Sequence, residues 1–183
     1  MIQWIVFAVG SILLTAISWT SLHYPDSHGF YRFFAWEAIL ALIVINAPVW
    51  FNHWLAWCQI ISWILLIACI VPLIFGIRSL RTRGKPNNEE RPDAQLLAFE
   101  RTTKLVTSGI YKFIRHPLYS SLLLLAWGAF FKAPTQTGIT LVLIATLFLN
   151  ATAKADEAEC VQVFGTDYQD YMKRTKMFIP YVF

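Results

Sequence analysis

Two charged clusters stand at facing ends of neighbouring apolar stretches. Arg115-His116-Pro117-Leu118-Tyr119 opens one stretch, and Asp156-Glu157, followed by Glu159, closes the next. The connection between the stretches, Lys132 to Thr137 with Pro134, is short. The two stretches are therefore expected to run antiparallel as neighbours, with the clusters meeting at one end of a helical hairpin. Charge gathered beside lipid is costly and needs a partner or a ligand. Taken singly, each residue has an ordinary explanation: Arg115 anchors a span, His116 reaches toward the interface, and the acids begin a solvated helix. Taken together they mark a candidate site.

The elements that must position this site are apolar runs. A membrane span needs about 20 apolar residues. Five runs qualify or come close: Ile2 to Trp19, Phe33 to Trp50, Trp54 to Ile77, Pro117 to Phe131, and Gly138 to about Ala153. The second and third are separated only by Phe51 to His53, which predicts a helical hairpin. Pro117 suits the first turn of its helix. Gly165 is expected to interrupt or cap a tail helix carrying Val161, Phe164, Tyr168 and Tyr171 at helical spacing. The segment AQLLAFERTTKLV, from Ala94, is read as a short amphipathic piece lying at the interface.

Composition agrees: 57% of residues are hydrophobic and 14% charged, against about a quarter charged in soluble domains. The net charge of +4 suits an anionic lipid surface, and nothing resembles a nucleic-acid module. The N-terminus has no basic leader and no small-residue cleavage site, so it reads as a retained span. Basic residues crowd between Arg78 and Arg115 and again in the tail, leaving Lys132 alone at the other end. Positive charge favours the cytoplasmic side. The expected fold is thus an all-α transmembrane bundle of about five spans, with the N-terminus outside and the C-terminus cytoplasmic. It forms one domain over residues 1–183: three spans to residue 77, then a cytoplasmic loop, two spans and a tail over 78–183. Compactness favours a prokaryotic cytoplasmic membrane. Cys58, Cys69 and Cys160 show no metal or disulfide spacing and read as small packing residues.

The segment LVTSGIYKFIRHPLY, Leu105 to Tyr119, precedes one span pair and DEAECVQVFGTDYQDYMKR, Asp156 to Arg174, follows it. This motif pair resembles the isoprenylcysteine carboxyl methyltransferase and phospholipid methyltransferase superfamily, from about Gly84 onward. The resemblance implies S-adenosyl-L-methionine as cofactor. It implies a pocket lined by Thr103, Lys104, Leu105 and Val106, by Tyr111, and by His116, Pro117, Leu118 and Tyr119. The acidic position falls on Asp156 or its neighbour Glu157. Such residues suit the cofactor's groups: carboxylates accept from an ammonium or ribose, His116 and Tyr119 donate to a carboxylate, and Tyr111 offers an aromatic face. Members that methylate a prenylcysteine carboxylate place an arginine about one turn before the acidic pair. Here Thr152 stands there and Lys154 is the nearest cation, which weakens that acceptor class.

Arg115 and Glu157 are the catalytic candidates, Arg115 as a substitute grip on a carboxylate and Glu157, or His116, as proton acceptor for an amine. A carboxylate or thiolate acceptor needs no base. Lys154, Arg174 and Glu37 are candidates for contact with a lipophilic small-molecule or lipidated acceptor entering from the bilayer. Glu37 also has a plain alternative, pairing with Arg32. His23 and His28 lack nearby carboxylate or thiolate spacing, so no metal site is expected. Two other readings compete. One is a membrane nicotinamide-dependent sterol or enone reductase, whose RHP-type segment is related. The other is a membrane adaptor without catalysis.

Overall fold

The computed structural model describes residues 2–52, 55–87 and 96–181. It is helical: α1 (Ile2–Leu22), α2 (His28–Asn46) with a 3-10 turn Ala47–Val49, α3 (Trp57–Ala68), α4 (Ile70–Arg83), α5 (Pro117–Phe130), α6 (Gln136–Phe164) and α7 (Thr166–Arg174). Four stretches are long and apolar enough to cross a bilayer: Ile2–Leu22, His28–Val49, Trp57–Arg83 and Gln136–Phe164. Pro117–Phe130 is a shorter apolar helix. The protein is an integral membrane protein.

α3 and α4 form one bent rod. Pro72 has no N–H to offer the carbonyl of Ala68, so the ladder breaks at Cys69 and the rod turns there. α2 begins at His28, five residues before the expected Phe33, because Ser27 caps it: its hydroxyl accepts from the Phe30 amide.

The centre of the bundle is the α2–α6 contact. Ala35, Ala38, Leu42, Val142, Ala145, Leu149 and Ala153 are all buried there. Small side chains let the two backbones approach closely, as helix pairs in lipid require. α1 packs along α2, with Gly10 against Leu40. The remaining face of α1 presents Trp4, Ile5, Ile12 and Ile17 outward, as a lipid-facing helix should.

The expected α2–α3 hairpin is not how these helices pack. α3 lies along α5, and α2 lies along α1, α5 and α6. Complementary surfaces decide this: Gly128 of α5 receives Leu66 of α3, and Ser62 donates to the Gly128 carbonyl at 2.7 Å. The α5–α6 hairpin does form. At the end of the bundle away from the basic cluster, Lys132 is buried rather than exposed. Its ammonium donates to Gln59 at 3.1 Å and stands 3.4 Å from the Trp63 ring centre.

Two more expectations change. α6 runs on past Ala153 without a break for 29 residues, about 44 Å, so the acidic cluster rides on the same rod that crosses the membrane. Gly165, at φ +59°, ends it. Residues 96–106 of the expected amphipathic segment are turns with one isolated bridge, Pro86 to Thr102; residues 94 and 95 lie outside the described set. Glu100 folds back to accept from the Leu97 amide, which holds a turn where a helix was expected.

A Cβ at Gly128 would sit 2.9 Å from the Leu66 side chain and 3.2 Å from its backbone nitrogen, which cannot yield. Gly128→Val is expected to cost about 1–3 kcal/mol, read as a lower unfolding temperature in detergent.

Candidate active site

The site lies where α2 and α5 begin and α4 and α6 end. Residues 113–116 run beside the tail: Arg115 and His116 donate backbone N–H to the carbonyls of Lys176 and Met177, at 2.8 and 3.1 Å. Ser120 donates to the Phe178 carbonyl at 2.8 Å. Pro117 then starts α5 at its first turn, so His116 is fixed immediately outside the helix. Before it, the 3-10 turn Gly109–Lys112 turns Tyr111 inward, and Tyr171 of α7 donates to the Tyr111 carbonyl at 2.6 Å. Burial, then the Asp156 carboxylate, push the Tyr111 phenol well above its ordinary range, which keeps it a neutral hydroxyl.

A string of alternating charges joins these elements to α6. Arg115 Nε donates to Glu157 Oε1 at 2.7 Å, and its Nη1 donates to the carbonyls of Met172 and Thr175. His116 Nε2 lies 3.2 Å from the same Glu157 oxygen, and its Nδ1 lies 3.3 Å from Asp156 Oδ2. The ring stacks on Tyr119, centroids 5.3 Å apart. Burial by itself works against a charged imidazole, but the Asp156 and Glu157 carboxylates outweigh it and raise the His116 pKa.

A second string comes from α2. Glu159 accepts from the His28 backbone amide and stands against His28 Nδ1, both at 2.8 Å. His28 Nε2 is 3.6 Å from Glu100 Oε2, beyond hydrogen-bond distance. Glu100 pairs with Arg32, whose guanidinium lies 4.8 Å from the Trp36 ring centre. Burial opposes ionisation of Glu100, yet Arg32 and then His28 hold its carboxyl below the usual range. His28, Asp156 and Glu159 thus bring ligand atoms within 4.8 Å of one another. The sequence set His28 aside for want of nearby carboxylates; the fold supplies them from 131 residues away.

Both strings border one cavity of about 720 Å³, counting the space open at its mouth. Of the residues expected from sequence, Leu105, Val106, Tyr111, Arg115, His116, Pro117, Leu118, Tyr119 and Asp156 line it. Glu157 is not in the wall and holds Arg115 and His116 in place. Thr103 and Lys104 face away: the Thr103 hydroxyl donates to the Lys85 carbonyl, and Lys104 is exposed. Lys154 is exposed on α6, and Arg174 is exposed with its Nε on the Asp170 carbonyl. Glu37 accepts from Ser11 of α1 at 3.0 Å, and Arg32 pairs with Glu100 instead. Sequence reasoning did not find His28, Glu100 or the tail residues Phe164, Tyr168 and Tyr171 as wall residues, and Cys160 is in the wall rather than simple packing. The apolar spacing of the tail was the available signal for the last three. For His28 and Glu100 there was none.

Because folding raises its pKa, His116 contributes fully below its ordinary value of 6.5 and progressively less as pH rises through the folded value. Removing one partner of a buried pair costs about 3–5 kcal/mol. The gap in unfolding temperature between wild type and His116→Gln should therefore be wider in mildly acidic than in alkaline detergent solution.

A family model described as phospholipid methyltransferase matches residues 94–176. Methanethiol S-methyltransferase 1 of Bradyrhizobium diazoefficiens is 30% identical over 77 residues, 41% of this chain and 26% of that protein. A probable protein-S-isoprenylcysteine O-methyltransferase of Oryza sativa is 29% identical over 86 residues, 46% of this chain and 44% of that protein. Delta(14)-sterol reductase erg24 of Schizosaccharomyces pombe is 30% identical over 107 residues, 56% of this chain and 25% of that protein. The matched stretches thus span less than half the length of these relatives. No solved structure matches significantly. The matched residues include those that build the Arg115–Glu157–His116–Asp156 string, and over this stretch the chain is similar to phospholipid and isoprenylcysteine methyltransferases.

Proposed function

We propose that this protein transfers a methyl group from S-adenosyl-L-methionine to a lipophilic thiol that reaches the site from the bilayer. The observation that carries the reading is His116, buried between Asp156 and Glu157 in the wall of a mixed polar and apolar cavity. The wall chemistry fits the cofactor group by group. Asp156 and Glu100 are acceptors for an ammonium or ribose hydroxyls, His116 is a donor for a carboxylate, and Leu105, Val106, Phe164 and Tyr168 offer apolar and aromatic surface for a base. When bound, the cofactor supplies a methyl group on a positively charged sulfur. The chain's own task is then positioning and exclusion of water, which in-line displacement needs more than covalent help.

The acceptor class follows from which cations are free. Thr152 is fully buried and its hydroxyl donates to the Phe148 carbonyl, so this position grips no carboxylate. Arg115 is held by Glu157 and two carbonyls, and Lys154 is exposed. A soft, neutral acceptor fits this wall better than a carboxylate. The names of relatives that act on methanethiol support the same class. The basic residues around Arg78 to Arg115 and in the tail support an orientation with the cavity facing the cytoplasm.

The similarity to a sterol reductase supports a second reading, reduction with a nicotinamide cofactor. One experiment separates the two. S-adenosylhomocysteine at about 100 times its dissociation constant should stabilise the purified protein by roughly 2.7 kcal/mol. The shift should appear in wild type and vanish in His116→Ala. Stabilisation by reduced nicotinamide dinucleotide phosphate, with none by S-adenosylhomocysteine, would move the assignment to the reductase.

A further inference from the structure

The tail shapes a second recess beside the cavity. Arg115, Met172, Lys173, Arg174 and Lys176 contribute to its wall, and Arg115 is the one described wall residue that it shares with the cavity. Among the described residues this wall carries cations and no carboxylate. Arg115 is matched by Glu157 and two carbonyls, and Lys173 by Asp170 at 2.8 Å. Arg174 donates Nε to the Asp170 backbone carbonyl, and among the described residues no carboxylate pairs with Arg174 or Lys176. Both side chains are exposed, so the recess is net positive.

Solvated lysines and arginines need no apolar flank, yet this group has one. Ile179 is 54% exposed and Tyr181 82% exposed, directly after the cations. Phe113, edge-on to Tyr181 with ring centroids 6.3 Å apart, is also exposed. Water would not favour so much bare apolar surface around a basic recess. The edge of a bilayer does, because aromatic and apolar side chains reach the acyl boundary while cations meet headgroups. The depth agrees. Pro117 opens the apolar helix α5, which leaves Arg115 immediately outside it, at headgroup level.

The recess is also bound to the catalytic segment through the backbone. Lys176 donates its amide to the Phe113 carbonyl at 3.2 Å, and its own carbonyl accepts from the Arg115 amide at 2.8 Å. The next carbonyl, of Met177, accepts from the His116 amide. Whatever holds Lys176 in place therefore steadies the backbone that carries His116.

We propose that this recess binds the phosphate of an anionic membrane lipid, and that occupancy clamps the tail onto residues 113–116. Arg174 supplies a planar fork for two phosphate oxygens and Lys176 a point charge. Ile179 and Tyr181 lie toward the lipid's apolar part. This lipid is a fixed ligand of the fold and not a methyl acceptor, and the proposal does not depend on the reaction assigned above.

The test uses the whole chain purified in a neutral detergent and titrated with phosphatidylglycerol or phosphatidylcholine. Native mass spectrometry reads lipid binding, and hydrogen exchange reads the peptides covering 113–116 and 175–177. Arg174→Gln/Lys176→Gln is compared with wild type and with Arg78→Gln/Arg81→Gln, which removes two exposed cations from α4. Phosphatidylglycerol is expected to bind roughly tenfold or more tightly than phosphatidylcholine, a preference lost in the tail variant and kept in the α4 variant. It should also slow exchange in both peptides severalfold in wild type and leave the tail variant unchanged. Equal loss of preference in the two variants, or no preference in wild type, overturns the recess as a site. Lipid binding without slowed exchange overturns the clamp. The same slowing by millimolar inorganic phosphate alone overturns the lipid as occupant. Should the double tail variant unfold at a lower temperature than wild type without lipid, Lys176→Gln takes its place and the same outcomes apply.

Discussion

Carboxylates and cations at the edge of a bilayer stay charged only where each meets an opposite partner, because lipid offers them no water. In this protein that constraint joins the chain across its length. Arg115, Glu157, His116 and Asp156 form one alternating string, and Arg32, Glu100, His28 and Glu159 form the other. Between them they tie α2, the 96–106 loop, the start of α5, α6 and the tail to one another. No single helix holds the cavity in shape. The opposed charges do so at the mouth of the bundle, beyond the apolar α2–α6 contact that forms its centre.

The strings also divide the labour of their residues. Glu157 holds Arg115 and His116 from behind, and Arg115 pins the tail through two carbonyls. Asp156, His116 and Tyr119 are left in the wall. The tail completes the enclosure because Gly165 adopts a positive φ that a side chain would resist, turning α7 so that Tyr168 and Tyr171 face inward.

Much of this was legible from sequence where the physics is local. Apolar runs, Pro117 at a helix start, Gly165 at a helix end and the crowding of basic residues all depend on near neighbours. The α5–α6 hairpin followed from a short turn. What escaped was decided by shape at a distance. The short link after α2 suggested an α2–α3 hairpin, yet Gly128 against Leu66 and Ser62 sent α3 to α5. His28 and Glu100 carried no local sign, because their partners lie far along the chain. Thr103, Lys104, Lys154 and Arg174 were named through neighbouring motif positions, but helix and turn periodicity points their side chains outward. Lys132 was read only as the one basic residue at the opposite end; its burial over Trp63 needs aromatic partners that the folded bundle assembles.

Among the described residues that line the cavity, His28 alone precedes Leu80; every other wall residue comes from the stretch after it. The enclosure is therefore written in two separate places in the gene. Change in the first turn of α2 can remodel one side of the chamber while leaving the remainder as inherited. Such a change would also be felt by Glu100 and Glu159 of the C-terminal stretch, to which the first turn of α2 is tied.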